Sequence, residues 1–459
     1  MKVLFATAEL TPLVSVGGLA EASSGVVKAL RELGTDVEVV IPDYEGFVLK
    51  EENSLDLYVP TWASPASARS GFAEGFGEVT AIDVPGIKRP NPYVDDTGMG
   101  WPDNADRFFA FSAAVAALAD VRKPDVVHLN DWHTAAVLGL MNGATPTVLT
   151  IHTLGHQGWT SAGWLDRLEP SDAFERHSGT NPLAGAIALA DAVVAVSPNY
   201  ANEIRTPQGG EGLDKLLNGI GDRLVGIRNG IDTTVWDPMT DDAIPAMYSA
   251  DDSSGKETAR SRLIAELGWE DDGSPIIGMV TRLVDQKGVE FALECAEFAR
   301  GVPFKLVVLG SGDQWRADWA RHEAANQPDR IWFHDGFDPA LAHRIFAGAD
   351  LLLMPSRFEP CGLAQMQAMA YGTIPIVAPV GGLVDTVRDA DSDRKAGTGF
   401  IMDRVDTAST ADAIHRAVRA WKQPRRRAAI QRRGMEIDWS WREPSQQYLA
   451  LYDEVLSRN

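Results

Sequence analysis

Short apolar runs rich in β-branched residues alternate with longer, alanine-rich segments of helical periodicity along the chain. Runs that are apolar on both faces and separated by helices predict parallel sheets covered by helices on both sides. The first series of predicted strands comprises VLFATA near the start, DVEVVIP from Asp36, DVVHLN from Asp125, TPTVLTIH from Thr145, DAVVAVS from Asp191 and RLVGIRN from Arg223. The second series comprises PIIGMVTR from Pro275, KLVVLGSG from Lys305, IWFHDGF from Ile331, DLLLMPSRFE from Asp350 and TIPIVAPVGG from Thr373.

A polar stretch from about Pro238 to Pro275 separates the two series and predicts a domain boundary near residue 240. We therefore expect an α/β protein with an N-terminal domain over residues 1–240 and a C-terminal domain over residues 241–437. The last segment, residues 438–459, is amphipathic and is expected to form a helix that packs back on the first domain. Ligands of such sheets sit at the carboxyl ends of the strands, so two facing sheets would leave a cleft there.

Charge and cysteine content limit the partners that this chain can have. The 459 residues include 42 Lys plus Arg and 64 Asp plus Glu, a net charge of −22. So acidic a chain gains nothing from counterion release, which argues against nucleic acid and anionic membrane surfaces as partners. No segment reaches about 18 uncharged apolar residues, and the start is too short in apolar positions for a signal peptide. Two cysteines provide neither a disulfide framework nor metal-ligand spacing, so a cytoplasmic protein is expected.

The loop SVGGLAEASSGVVKAL follows the first strand and opens a helix. Adjacent glycines at Gly17 and Gly18 would let the backbone approach an anion at the helix N-terminus. A tight turn needed only for packing explains them equally well. The dinucleotide-binding pattern G-x-G-x-x-G is absent, which disfavours a nicotinamide-dependent dehydrogenase.

Two segments of the second half place charge at strand ends. Arg282 and Lys287 lie five residues apart in TRLVDQKGVEF, where two cations suit a diphosphate leaving group, although a solvated loop is the ordinary alternative. Glu359 falls at the end of DLLLMPSRFE, before a helix that begins near Leu363. A carboxylate there can accept hydrogen bonds from sugar hydroxyls or cap its own helix, and exposed amides at the helix start can receive phosphate. Gly381 and Gly382 end the next strand with another close-approach turn.

Histidines cluster in two segments of the first half, VHLNDWHTA and TIHTLGHQGW. The polar side chains of these segments are His128, Asp131, His133, His152, His156 and Gln157. His128 and His133 lack the spacing of helical metal ligands, and no suitably placed carboxylate completes a site, so zinc is disfavoured. Polar groups that line a sugar pocket explain the cluster better.

With these residues in view, the chain resembles the glycogen and starch synthases, which are retaining glycosyltransferases of the GT-B fold. The longest match is PSRFEPCGLAQMQAMAYGTIPIV followed by GGLVDTV. Further matches, in family order, are NPYVDDTGMGWPDNADRFFAFS, VHLNDWHTA, VSPNYANEIRTPQGGEGLD, RNGIDTTVWDP and TRLVDQKG. The resemblance implies two Rossmann-like, doubly wound parallel-sheet domains facing across a cleft, with the nucleotide donor held mainly by the C-terminal one.

The resemblance also implies roles for individual residues. Arg282 and Lys287 would bind the donor diphosphate, and Glu359 would hold the donor sugar's hydroxyls. His152 would lie beside the anomeric carbon, and Asp131 and Asn229 would line the same pocket. Backbone amides would assist at Cys361, Gly362, Leu363, Gly381 and Gly382. The reaction would retain the anomeric configuration by front-face attack, with the diphosphate oxygen deprotonating the incoming hydroxyl and with neither metal nor cofactor required.

Departures from the family pattern lie in the N-terminal half. Ser15 stands where the family usually has a lysine that reaches the donor's phosphate or sugar. Thr153 and His156 replace the usual asparagine and tyrosine after the pocket histidine. Ala184, Gly185, Ala186 and Ile187 stand where the family has lysine-glycine-glycine-isoleucine.

Three functions remain open at the level of the sequence. The first is a glucosyltransferase that extends an α-1,4-glucan or maltooligosaccharide from ADP-, UDP- or GDP-glucose. The second is a pseudo-glycosyltransferase that joins a nucleotide-activated cyclitol, of the GDP-valienol type, to an amino-sugar acceptor. An allylic cation could there replace the oxocarbenium ion in the same electrostatic site. The third is a non-catalytic binding protein, which the retention of Arg282, Lys287, Glu359 and His152 disfavours.

Overall fold

The computed structural model describes residues 1–141, 143, 145–298 and 301–458. The chain divides into two compact units. Unit 1 comprises Met1–Gly230 with Trp441–Asn459, and unit 2 comprises Ile231–Ser440.

Unit 1 is built on a nine-stranded sheet in the order β11-β10-β7-β6-β1-β2-β5-β4-β3, with a separate β8–β9 hairpin. The strands are β1 (Lys2–Ala6), β2 (Asp36–Pro42), β3 (Leu49–Asp56), β4 (Ser67–Ala73), β5 (Gly77–Asp83), β6 (Val126–Asn130), β7 (Thr147–Ile151), β8 (Glu175–Arg176), β9 (Gly179–Thr180), β10 (Ala192–Ala195) and β11 (Leu224–Gly226). The central strand β1 pairs in parallel with β2 on one side and β6 on the other. The strand order therefore reverses between β1 and β6, and this switch point is where sheets of this kind bind ligands.

The helices of unit 1 that precede residue 231 cover this sheet. They are α1 (Gly18–Glu32), α2 (Asn104–Arg122), α3 (Trp132–Ala135), α4 (Ser171–Phe174), α5 (Pro182–Leu189), α6 (Pro198–Glu203) and α7 (Asp214–Gly219). Apolar side chains of β1 and β2, such as Val3, Phe5 and Val39, are fully buried beneath them. Burial on both faces explains why these strands are continuous apolar runs rather than alternating ones.

The prediction of a purely parallel sheet is wrong at one edge of unit 1. β4 pairs antiparallel with both β3 and β5, and the ladder between β3 and β4 shifts register between Lys50 and Asn53. The strands β3, β4 and β5 were not among the predicted ones, and β3, which reads LKEENSLD, is largely exposed and lacks a continuous apolar run. Charged side chains on such an edge strand oppose pairing with another chain.

Unit 2 is a six-stranded sheet of parallel pairs in the order β14-β13-β12-β15-β16-β17. Its strands are β12 (Ile276–Val280), β13 (Lys305–Gly310), β14 (Ile331–Asp335), β15 (Leu351–Met354), β16 (Ile374–Val377) and β17 (Phe400–Ile401). Its helices are α8 (Ser254–Glu266), α9 (Val289–Phe298), α10 (Gln314–Asn326), α11 (Pro339–Gly348), α12 (Ala364–Ala370), α13 (Gly381–Thr386), α14 (Thr407–Trp421) and α15 (Pro424–Met435). The strand order reverses between β12 and β15, which is the Rossmann arrangement. Every predicted strand of both series overlaps an observed strand.

The C-terminal helix α16 (Arg442–Arg458) belongs to unit 1 and packs against α1. Its side chains Tyr448, Tyr452 and Val455 join the same core as Val3 and Phe5. No helix among the described residues is long and apolar enough to cross a membrane.

Candidate active site

Lys287 and Glu359 form an ion pair at the switch point of unit 2. Lys287 ends the short 3-10 helix that follows β12, and Glu359 follows β15, the neighbouring strand. Lys287 Nζ lies 2.6 Å from Glu359 Oε2, which also accepts a hydrogen bond from Ser356 Oγ at 3.0 Å. Glu359 Oε1 has no hydrogen-bond partner among the residues that the structure describes, and the carboxylate is 8% exposed. The pair therefore leaves one nearly buried acceptor oxygen available to a ligand.

Arg282, five residues before Lys287 in the sequence, is the second candidate cation. Its exposed guanidinium makes no hydrogen bond or ion pair with any described residue. Nearby arginines differ: Arg316 contacts Asp285 at 2.9 Å, and Arg357 contacts Glu290 at 2.5 Å. Arg282 is thus able to meet an anionic ligand without first breaking an ion pair.

Backbone amides lie at the start of the segment that follows Glu359. The amides of Gly362 and Leu363 have no acceptor among the described residues. The carbonyls beside them are held by the buried side chain of Gln365, whose Nε2 donates to Cys361 O at 3.1 Å and Gly362 O at 2.9 Å. Gln365 thereby fixes the peptide planes, so that free N–H groups are presented at a helix start, where anions bind favourably.

Gly381 and Gly382 pack directly on the backbone that carries Glu359. A Cβ atom at Gly381, where φ is +45°, would lie 1.9 Å from Glu359 O, and one at Gly382 would lie 2.4 Å from Cys361 O. Gly382 N also donates to Glu359 O at 3.0 Å. At this turn the glycines therefore lie close to the protein's own backbone, and this packing positions Glu359.

In unit 1, the loop between β1 and α1 is organised by Glu9. Its Oε2 accepts hydrogen bonds from the amides of Val16 at 2.7 Å and Gly17 at 2.9 Å, and Tyr93 Oη donates to its Oε1 at 2.7 Å. The amide of Gly17 is therefore occupied, whereas that of Gly18 has no acceptor among the described residues. A Cβ atom at either glycine would meet nothing within 4 Å. Their packing does not require glycine, and Ser15 beside them is exposed.

Asp131 follows β6, the strand on the other side of the unit 1 switch point. Its backbone has φ 54° and ψ −173°, a region that non-glycine residues rarely occupy. The buried carboxylate accepts hydrogen bonds from His152 N at 2.7 Å and Thr153 N at 3.3 Å. Burial raises the pKa of this carboxyl to about 7, against the effect of the two amide donors. Asp131 thus joins the end of β6 to the loop after β7.

His152 is a neutral, oriented imidazole. Its Nε2 lies 2.9 Å from Asn130 Oδ1, and Asn130 Nδ2 donates to Ala6 O at 3.0 Å. Because the asparagine amide is oriented by Ala6, its oxygen faces the histidine, and Nε2 must be the protonated nitrogen. Burial lowers the pKa of His152 to about 3, so the ring is uncharged at neutral pH. Nδ1 is then left as a hydrogen-bond acceptor.

Two other histidines of these segments, His128 and His133, lie in the packed interior of unit 1. His128 is in the core, where Nδ1 contacts Tyr452 Oη at 2.6 Å and Nε2 contacts Thr150 Oγ1 at 2.7 Å. The expectation that it lines a sugar pocket is wrong, because both ring nitrogens are satisfied inside the unit. His133 is buried and stacks on Tyr93, with ring centroids 4.9 Å apart. Among the described residues, no group of His, Cys, Asp or Glu side chains is arranged to hold a metal ion.

Asn229 lies after β11, the edge strand of the unit 1 sheet, and is not hydrogen-bonded to His152 or Asp131. Its side-chain oxygen is buried without a hydrogen-bond partner among the described atoms. An unsatisfied buried amide oxygen costs about 1–3 kcal/mol, so it marks a position where a bound donor group would be stabilising.

The departures from the family pattern fall in different environments. Thr153 lies beside Asp131, and His156 is exposed. Ala184 and Ala186 are fully buried in α5, and a Cβ atom at Gly185 would lie 2.1 Å from Phe174. The alanines are thus core residues, and Gly185 is required for packing.

Sequence reasoning missed several residues that position the site. Glu9 holds the amides of the loop between β1 and α1, and Asn130 holds His152. Ser356 holds Glu359, and Gln365 holds the carbonyls of Cys361 and Gly362. The signal that could have found two of them is position, since Asn130 ends the central strand β6 and Glu9 lies in the loop that follows the central strand β1. Nothing in the local sequence of Ser356 or Gln365 shows their partners.

The comparisons with known proteins cover almost the whole chain. Residues 2–219 match the family model of the starch synthase catalytic domain, and residues 264–434 match that of the group 1 glycosyl transferases. Glycogen synthase 1 of Methylococcus capsulatus is 38% identical over 478 residues, which cover 100% of this chain and 97% of that protein. Glycogen synthase of Halorhodospira halophila is 40% identical over 476 residues, with 100% and 99% coverage.

Two solved structures are also similar to this chain over almost its whole length. The catalytic domain of starch synthase IV from Arabidopsis thaliana, bound to ADP and acarbose, has a TM-score of 0.88 and 32% identity to this chain, with 99% of each chain covered. Sucrose-phosphate synthase from Thermosynechococcus elongatus, at a TM-score of 0.64 and 19% identity, is similar in fold.

Proposed function

The chain belongs to the glycogen and starch synthase family of glycosyltransferases and has the family's GT-B fold, and on that premise we propose that it transfers a glucosyl unit from a nucleotide-diphosphate glucose to the 4-hydroxyl of an α-1,4-glucan or maltooligosaccharide. The observation that carries this proposal is the arrangement at the switch point of unit 2. There Lys287 is paired with Glu359, one carboxylate oxygen is free, and Arg282 has no anionic partner among the described residues.

In this proposal unit 2 binds the donor. Arg282 and Lys287 hold the diphosphate and stabilise the charge that develops on it as the bond to the sugar breaks. An ammonium group has three N–H donors, so Lys287 can keep its bond to Glu359 and still contact a phosphate oxygen. Glu359 Oε1 accepts a hydrogen bond from a sugar hydroxyl. The free amides of Gly362 and Leu363 and the turn at Gly381 and Gly382 support the same group.

Unit 1 supplies uncharged contacts to the sugar and the acceptor. His152 offers Nδ1 as an acceptor for a sugar hydroxyl, since Nε2 is protonated toward Asn130. Asp131 fixes the loop that carries His152, and Asn229 offers a buried amide oxygen. The space beside Gly17 and Gly18 admits a ligand, and Ser15 adds no charge there.

The proposed reaction retains the configuration at the anomeric carbon. The bond between the anomeric carbon and the diphosphate oxygen breaks, and a bond from that carbon to the acceptor's 4-hydroxyl oxygen forms on the same face. The hydroxyl proton passes to the leaving diphosphate. Arg282 and Lys287 stabilise the departing charge in this step, and stabilisation of that kind supplies much of the rate enhancement in many enzymes.

The cyclitol-transfer alternative receives no support from the Methylococcus, Halorhodospira and Arabidopsis relatives, which are named glycogen and starch synthases. The solved complex of the Arabidopsis enzyme contains ADP, which makes ADP-glucose the first donor to test.

The test is nucleoside-diphosphate release from ADP-, UDP- and GDP-glucose, each with maltoheptaose as acceptor. We expect one glucose donor to be used by the wild type, and we expect Glu359→Gln and Arg282→Gln to lower kcat/KM at least about a hundredfold, as loss of a charged transition-state contact does. Glu266→Gln is the matched control, since Glu266 pairs with Arg344 on the surface of unit 2. Wild-type activity in Glu359→Gln would contradict the assigned site, and silence with all three donors would contradict the reaction.

A further inference from the structure

Trp159 is a large aromatic side chain that is about half exposed to solvent. It keeps 49% of its surface exposed, and it stacks on the exposed imidazole of His177 with ring centroids 5.9 Å apart and an interplanar angle of 28°. Contact between the two rings leaves much of the indole available to a partner. Flat, exposed aromatic surfaces of this kind accept the apolar face of a ligand ring while their edges stay in solvent.

The backbone that presents His177 is strained. His177 and Ser178 form the turn of the β8–β9 hairpin with φ values of 48° and 61°, both in the left-handed region. Neither residue is glycine, which occupies that region without steric cost. Strain of this kind persists where the surrounding structure enforces it, and it is concentrated at ligand-binding positions. A two-residue hairpin turn favours positive φ at both positions and glycine or asparagine in them, so the turn holds the His177 imidazole against Trp159 at a small cost in stability.

Trp159 is also fixed beside the residues proposed to contact the sugar. It lies in the loop that begins at His152, after β7. A Cβ atom at Gly158 would lie 2.3 Å from the ring of Trp132, the residue that follows Asp131. On the other side, Thr160 and Thr180 exchange two backbone hydrogen bonds of 3.0 Å, which tie the loop to the hairpin. The aromatic pair is therefore held at the same edge of the unit 1 sheet as Asp131 and His152.

We propose that Trp159 and His177 form a platform on which a glucose ring of the acceptor glucan stacks. This inference rests on the proposed function, and it assigns a specificity-determining role to two residues of unit 1. The occupant is the acceptor rather than the donor, because the pair contains neither lysine nor arginine to bind a diphosphate and presents an aromatic face. Such a surface binds a sugar ring by its axial C–H groups and is indifferent to the nucleobase.

The experiment is steady-state kinetics of Trp159→Ala, with maltoheptaose as the varied acceptor and the active glucose donor at saturation. We expect the acceptor KM to rise about tenfold while kcat and the donor KM stay near wild-type values. An interaction made equally in the ground state and the transition state changes KM alone. Quenching of tryptophan fluorescence by maltoheptaose, measured without donor, should be weakened in the same variant.

His177→Gly separates a binding role from a structural one. Glycine relieves the strain at φ 48°, so the variant should melt at the same or a higher temperature than the wild type while its acceptor KM rises severalfold. Trp159→Phe, which keeps an aromatic face, should recover most of the lost affinity. Trp315→Ala is the matched control, because Trp315 is 53% exposed and stacked on Trp319 in unit 2.

An acceptor KM in Trp159→Ala equal to that of the wild type would overturn the platform, provided that the wild type extends maltoheptaose. So would an equal rise in Trp315→Ala. If the wild type releases no nucleoside diphosphate with any glucose donor, the proposed function fails instead, and the platform fails with it because it has no acceptor.

Discussion

Asp131 combines an unfavourable backbone conformation, burial and two amide hydrogen bonds in one residue. The carboxylate accepts the amides of His152 and Thr153, and so it fixes the loop that carries the candidate pocket histidine. Its position could be read from the family resemblance, because it follows a predicted strand in VHLNDWHTA. Its positive φ could not be read from the sequence, since aspartate gives no local signal that distinguishes this conformation from an ordinary helix cap.

Asp131→Asn tests the energetic consequence of this burial. The folded state raises the pKa of Asp131 to about 7, so the native protein binds a proton that the unfolded chain releases near pH 4. The resulting stabilisation is complete below the unfolded pKa and is lost as the pH rises through about 7. We expect the unfolding free energy of the wild type to fall by up to about 4 kcal/mol relative to the variant between pH 4 and pH 8.

Urea unfolding of both proteins at several pH values measures this difference. Asparagine keeps an oxygen for the two amides and tolerates positive φ better than most residues, so the variant should fold. A constant difference between the two curves over this pH range would contradict the assigned protonation.

At the scale of elements, the two glycine turns serve different ends. The turn at Gly17 and Gly18, between β1 and α1, borders open space, whereas Gly381 and Gly382 press against the backbone of Glu359 and Cys361. Both pairs were predicted as places where the backbone approaches a ligand. Sequence alone could not separate them, because the neighbour of Gly381 lies in a different strand-to-helix connection.

Alanine at Gly18 and alanine at Gly381 should therefore behave in opposite ways. Gly18→Ala adds a good helix former where nothing is contacted, so stability should be unchanged or higher by up to about 1 kcal/mol. Its glucosyl transfer should nevertheless fall about tenfold, because the new methyl group enters the space proposed for the substrate. Gly381→Ala, with φ 45° and its Cβ 1.9 Å from a carbonyl oxygen, should lose more than about 2 kcal/mol of stability.

Thermal unfolding and donor kinetics of the two variants check this contrast. Gly18→Ala with wild-type activity would remove the β1–α1 turn from the substrate site. Gly381→Ala with wild-type stability would show that the turn does not carry the packing described above.

Strands with a continuous apolar run could be predicted from the sequence, and strands without one could not. Strands buried on both faces, such as β1, β12 and β15, stand out as continuous apolar runs, and the helices between them fix the parallel arrangement. β3 did not stand out because it is an exposed, charged edge strand, and β4 and β5 did not because their short sequences carry no continuous apolar run. The antiparallel edge of unit 1 was for this reason visible only in the structure.

At the scale of the whole molecule, useful positive charge is scarce. The chain carries a net charge of −22, and arginines near the candidate site, such as Arg316 and Arg357, are paired with carboxylates. Arg282 has no such partner among the described residues, and Lys287 is paired with Glu359, whose second carboxylate oxygen can bind a ligand. The sequence placed these cations at a strand end. It could not show that Lys287 meets a carboxylate 72 positions later in the chain.

Both units place some of their candidate residues at a switch point of the sheet, after β1 and β6 in unit 1 and after β12 and β15 in unit 2. His152, Asn229 and Gly381 instead follow β7, β11 and β16. The recurrence follows from topology, because the connections from adjacent strands leave in opposite directions only at that point. We propose that a two-unit chain with this organisation, in the glycogen and starch synthase family, builds a glucan.

The most direct test of that claim is the product itself. The wild-type enzyme is incubated with ADP-glucose, and in parallel with UDP- and GDP-glucose, in the presence of maltoheptaose, and the products are read by mass and then digested with an α-1,4-specific glucosidase. We expect a ladder of products one hexose apart that the glucosidase removes completely and that Glu359→Gln does not form. Unchanged maltoheptaose with every glucose donor, or added hexoses that resist the glucosidase, would contradict that claim.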